Sequence, residues 1–160
     1  MVTNNIVIEN ARIGFRNFSG EEGKFNPAGN RNFVLFLDPD IAEPIQSDGW
    51  NIKWLDPRDE DDEAQAYLPV AVSYNNIPPK VVLITSNGKT ILNEETIGML
   101  DWAEIQNVDI IVNPYNWTVN GKTGVKAYVK SMYVTIVEDE FADKYRDIPG
   151  ELDDFAEDID

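Results

Sequence analysis

Apolar positions in this chain fall into short runs, mostly β-branched or aromatic, with Gly, Pro or Asn at their ends. That is the punctuation of strands rather than of helices. The runs predict strands over 6–18, 32–37, 50–55, 67–74, 80–85, 90–92, 108–119 and 125–137. Asn87-Gly88 and Asn120-Gly121 each separate two such runs and predict hairpins. Helical signals are few. One short helix is expected over 40–47, closed by Gly49, and a second opens at Asn93 as N-cap, with Glu94 and Glu95 in its first turn, and runs to about Ala103. Residues 19–30 form a loop containing Gly, Asn and Pro, and there is no internal repeat. Many strands with one or two short helices make the chain mainly β, a small barrel or sandwich with long insertions.

Alternation within three strands shows which faces look outward. Val125, Ala127 and Val129 share one face, and Lys126, Tyr128 and Lys130 the other. Beyond Ser131 the apolar parity flips to Met132, Val134 and Ile136, as a bulge or a bend at a barrel corner produces. In the first strand Ala11, Ile13 and Phe15 are expected on one face, and Arg12, Arg16 and Phe18 on the other, with Gly14 between them as a bend or a point of close backbone approach. Tyr115 and Trp117 share a face, Lys122 sits in the adjoining turn, and the 19–30 loop with its flank adds Lys24, Phe25 and Arg31. Rings interleaved with cations suit single-stranded nucleic acid, because cations neutralise phosphates and every base has a face that stacks. Aromatic residues on strands also pack well as core, so each single ring admits both roles. Trp50, Trp54 and Trp102 lack a basic neighbourhood beyond Lys53 and are assigned to packing.

Charge sharpens this picture once it is localised. Residues 138–160 hold eleven acidic side chains against Lys144 and Arg146, and 56–63 hold six against Arg58. These runs carry −9 and −5 of the net −16, so the remaining chain is nearly neutral. An acidic run repels itself and solvates, so the reading is a folded domain over 1–140 and a disordered acidic tail over 141–160. Leu152, Phe155 and Ile159 punctuate the tail with apolar side chains, a pattern that docks in a basic, apolar-lined pocket of a partner.

The absence of histidine and cysteine removes His-based triads, His-ligated metal sites and thiolate chemistry. The 56–63 run lacks the glycine and the twelfth-position glutamate of a calcium loop. The segment from Asn120 to Gly124 lies between strands and so is no phosphate-binding loop ahead of a helix. The expectation is a protein that is not an enzyme, with no metal and no cofactor. No run of eighteen apolar residues and no basic-then-apolar start occur, which predicts neither membrane span nor signal peptide.

The stretch IENARIGFRNFSGEEGKFNPAGNRNF, the segment NPYNWTVNGKTGVKAYVKSMYVTIVEDEF and the final DDFAEDID together resemble the single-stranded DNA-binding proteins of tailed bacteriophages. The resemblance implies an OB-fold-like Greek-key barrel and sequence-tolerant binding of single-stranded DNA in phage replication or recombination, in the cytoplasm of the infected cell. It also implies a tail that meets phage or host replication proteins, here through Asp153, Asp154, Phe155, Asp158 and Ile159. Better-known members end in an aromatic residue, whereas this chain ends in Asp160. A homo-oligomer is compatible with this reading. An acidic DNA mimic that inhibits a host DNA-binding enzyme is the alternative, and a virion or assembly protein a third.

Overall fold

The computed structural model describes residues 2–138 apart from 58, 60–62 and 76. The 141–160 tail, with its five partner-binding candidates, and the 140/141 boundary lie outside the described residues. The elements in chain order are β1 (Ile6–Ile8), β2 (Arg12–Asn17), β3 (Arg31–Leu37), α1 (Pro39–Asp48), β4 (Lys53–Leu55), β5 (Gln65–Val72), β6 (Lys80–Thr85), β7 (Gly88–Leu92), a 3-10 helix (Ile97–Asp101), β8 (Ile105–Val119) and β9 (Lys122–Ile136).

The single strand expected over 6–18 is divided. Asn10 adopts a left-handed φ of 52°, and its N–H donates to Asp109 Oδ1 at 2.9 Å. The chain bends there, so β1 pairs with β8 (Val7 opposite Ile111) while β2 pairs with β3 (Ile13 opposite Leu35). This bend closes the sheet. Around it run β1/β2, β3, β5, β9, β8 and β1 again, with antiparallel neighbours except for the parallel β5–β9 pair. Five strands in that order, closed through a bent first strand, make an OB-type Greek-key barrel. The β6–β7 hairpin is an insertion that extends the far half of β9 in parallel.

Alternation fills the barrel. Phe33, Leu35, Leu68, Val70, Val108, Ile110, Val112, Met132 and Val134 point inward and are almost wholly buried. The parity flip expected in β9 is present: Val112 pairs with Val129 and Ile111 with Ser131, which leaves Lys130 as the extra residue of a bulge. The Asn120-Gly121 turn has positive φ at both residues, the geometry that joins two-residue hairpins, and it carries β8 directly into β9.

Helix α1 ends on Gly49 at φ 116°, as its sequence signal requires. The second helix is shorter than expected. Asn93 Oδ1 does accept from the Glu95 and Thr96 N–H groups, but only one 3-10 turn follows. Ile97 and Leu100 enter the core there, while Trp102 stays 83% exposed, which corrects its assignment to packing. Trp50 is buried, and Trp54 Nε1 donates to Gln46 of α1, in keeping with packing roles.

Candidate nucleic-acid interface

The outward positions of β2, β3, β5, β9 and β8 form one surface whose middle is flat. Gly14, Val34 and Pro69 lie in one cross-strand row, and Asn17, Asn32, Ala71, Tyr128 and Asn113 in the next. Apart from Tyr128 these side chains are short and leave backbone and small groups as a floor, with further rings at both ends.

On the β8–β9 side, Tyr115 and Tyr128 meet edge to face at 6.1 Å, and the Lys126 ammonium stands 5.3 Å from the Tyr128 ring centre. Trp117 is opposite Gly124, whose missing side chain makes room for the indole: an added Cβ would lie 2.4 Å from Trp117 Cζ2. On the β2–β3 side Gly14 seats Phe36 in the same way, with 2.5 Å between an added Cβ and the ring. Both glycines are there for close approach. A cavity of about 700 Å³ occupies the floor, lined among others by Val34, Pro69, Trp117, Lys126 and Tyr128.

The first strand departs from its expected alternation. Phe15 takes φ 46° inside a β2 bulge, which rotates it outward to 72% exposure, 6.2 Å from the Phe36 ring. The same bulge turns its successors inward. Arg16 Nη1 donates to the carbonyls of Leu100 and Ala103, both at 2.8 Å, and Phe18 is fully buried and stacked on Phe33 at 5.0 Å. The expected outward set of Arg12, Arg16 and Phe18 is therefore corrected. Arg12 alone remains outward, 3.8 Å from Asp38, while Arg16 ties the 3-10 helix to the barrel and Phe18 is core. Asp101 strengthens that tie by accepting from Phe18 N, Ser19 N and Ser19 Oγ.

Lys24 and Phe25 sit at the tip of the 19–30 loop, with Phe25 90% exposed and the Lys24 ammonium 5.5 Å from its ring centre. Asn26 holds this loop in shape. Its Nδ2 donates to the carbonyls of Glu21, Pro27 and Asn30, and its Oδ1 accepts from Asn32 on the floor. A loop bonded this way presents its tip ring without further ordering. Lys122, Lys126 and Lys130 are exposed along β9, the last on the bulge.

Arg31 is unlike the other cations. Its side chain is only 16% exposed, it lies 5.7 Å from the Tyr74 ring centre, and its Nη1 is 3.6 Å from Glu94 Oε1. Burial raises the pKa of the Tyr74 phenol, with Arg31 opposing and Glu94 adding to the shift. The structure therefore brings Tyr115, Trp117, Lys126 and Tyr128 together on the floor's edge and sets Arg31 at the cavity. Sequence alternation missed Phe15, Phe36, Tyr67 and Tyr74. Of these, Phe36 and Tyr67 carried a signal, since each is an aromatic residue at an outward position of an otherwise inward-apolar strand, and they are cross-strand partners.

A family model described as "Putative phage ssDNA-binding domain" matches residues 1–160. Among solved structures, the chain is similar to the single-stranded DNA-binding protein from bacteriophage Enc34 in complex with ssDNA. That match has 13% identity over 86% of this chain and 89% of that one, with a TM-score of 0.56. A C-terminal truncation of the same phage protein matches at 13% identity over 84% and 87%, with a TM-score of 0.55. No curated protein matches the chain.

Proposed function

The chain belongs to the family of phage single-stranded DNA-binding domains, and on that premise we propose that it coats single-stranded DNA without sequence preference during phage DNA replication or recombination. The observation that carries the reading is the flat floor between seated rings. Trp117 over Gly124 and Phe36 over Gly14 flank a strip of small side chains, with Lys126 and Tyr128 at its border. Bases stack on the rings and gain about 1–3 kcal/mol each, while Lys126, Lys130, Lys122 and Arg12 neutralise phosphates. Every base offers a stacking face, so this mechanism tolerates any sequence. It needs no cofactor and no covalent step.

In this reading residues 1–140 are the binding domain and 141–160 an acidic tail that competes with DNA for the same cations. When DNA displaces the tail, Asp153, Asp154, Phe155, Asp158 and Ile159 become free to meet a replication or recombination partner in the infected cell. The test is a titration of fluorescent oligo-dT, and of a duplex of equal length, at low and physiological salt, with the full chain and with a chain ending at Gly150. The single strand should bind well above the duplex, weakening severalfold or more as salt rises, and the shortened chain should bind more tightly at low salt. Absence of oligo-dT binding by the shortened chain at low salt would overturn the proposal. A DNA mimic would bind neither probe in either form.

A further inference from the structure

Arg31 has a donor that nothing among the described residues answers. Its Nε and the Tyr74 hydroxyl are both buried, and neither has a hydrogen-bond partner among the described residues. Its remaining anionic contact, to Glu94, spans 3.6 Å, too long for a good hydrogen bond. Native proteins satisfy buried donors almost everywhere, so two orphans side by side at one cavity point to an acceptor that arrives from outside. Arg31, Tyr74 and Glu94 line the same cavity as Trp117, Lys126 and Tyr128. Glu94 is 60% exposed and precedes the 3-10 helix, outside any strand, so moving its carboxylate away costs little.

Resting on the single-strand reading above, we propose that Arg31 and Tyr74 form a subsite for one phosphodiester of the bound strand, which Glu94 occupies as a stand-in anion in the free protein. The chemistry favours the exchange. A carboxylate at this distance engages one terminal nitrogen of a guanidinium loosely, whereas a phosphodiester's two free oxygens match its fork and are recognised bidentately. Tyr74 adds a donor from the ring that already lies beside the guanidinium. Glu94 thus keeps a buried arginine neutralised while no strand is present, and it sets a threshold that DNA must exceed to use the site. Lys126 and Lys130 have no such internal competitor among the described residues.

The test is oligo-dT titration at low salt with full-length wild type, Glu94→Gln, Arg31→Ala, the double variant and Tyr74→Phe. Glu94→Gln should tighten binding about two- to fivefold, in keeping with the weak hold of an exposed carboxylate on its partner. Arg31→Ala should weaken binding about tenfold or more, as the loss of a charged hydrogen bond does, and Glu94→Gln should then give no gain in the Arg31→Ala background. Tyr74→Phe should weaken binding without lowering the melting temperature, since it removes a hydroxyl that has no partner among the described residues. If Arg31→Ala does not fold, Arg31→Met serves in the same pairing, because it keeps a long side chain in the cavity and loses the charge that Glu94 neutralises. An equal gain from Glu94→Gln in both backgrounds would overturn the subsite, as would no gain from a protein that binds oligo-dT normally. Failure of wild type and all variants to bind, also as chains ending at Gly150, would instead overturn the single-strand reading.

Discussion

Gly124→Ala should weaken binding to single-stranded DNA while leaving the fold intact. An added Cβ would sit 2.4 Å from Trp117 Cζ2, 2.6 Å from Cε2 and 2.9 Å from Nε1, where ordinary contacts begin at 3.4 Å. The indole must therefore retreat by about 1 Å or tilt off its seat, and Trp117, at 37% exposure, has open space to do so. The backbone raises no objection, because Gly124 is not in the left-handed region, and the methyl restricts the unfolded chain by about 0.4–1 kcal/mol in favour of folding. A base stacked on Trp117 is worth about 1–3 kcal/mol. Displacing the ring without deleting it should cost about 1 kcal/mol, about fivefold in affinity. Fluorescence anisotropy with labelled oligo-dT measures the loss, and thermal denaturation checks that the fold is unchanged. Trp117→Ala should weaken binding further, and Gly124→Ala added to it should then have no effect. An equal cost of Gly124→Ala with and without the indole would refute the seating argument.

Lys126→Ala should lower the slope of log affinity against log salt by about 0.7, the counterion share of one single-strand phosphate, whereas Tyr115→Ala should reduce affinity and leave that slope unchanged. Denaturant titration of Phe18→Ala should show a loss of about 3–5 kcal/mol, as expected for a fully buried ring, and Arg16→Ala about 1.5–3 kcal/mol, as expected for charged hydrogen bonds; wild-type stability in either would contradict the placement of these residues. Because burial raises the Tyr74 pKa above 10.0, the folded protein holds that proton more tightly than the unfolded chain does. The associated stability is complete below pH 10 and is lost as pH rises through the raised value, so Tyr74→Phe should flatten the alkaline arm of a stability–pH curve.

The barrel was legible in the sequence because short β-branched or aromatic runs end in turn residues, and because apolar positions alternate in the two halves of β9. Even the Lys130 bulge showed, since the apolar parity changes across it. Alternation failed in β2 for the same physical reason that it succeeded in β9. A bulge reverses every later side chain, and in β2 too few apolar residues follow Gly14 for the reversal to be seen. Alternation alone therefore puts Arg16 and Phe18 on the face of Arg12, and Phe15 on the face of Ile13. The ring pair of Phe36 and Tyr67 needed strand partners, which one strand's pattern does not contain. Arg31's burial depends on Tyr74 and Glu94, far away along the chain.

The parallel join between β5 and β9 is short: Val70 faces Ala127 and Ala71 faces Tyr128, and the described ladder goes no further. Every other seam of the barrel is longer or antiparallel, so thermal opening should begin here. This seam also runs through the floor, with Pro69 and Ala71 on one bank and Lys126 and Tyr128 on the other. A strand of DNA laid across it would act as a strap, raising the free energy of opening by its own binding free energy. Amide hydrogen exchange at Ala71 and Tyr128 should then slow with bound oligo-dT more than exchange in the β6–β7 hairpin. A barrel built with its weakest join beneath its ligand is most prone to come apart when it has nothing to hold.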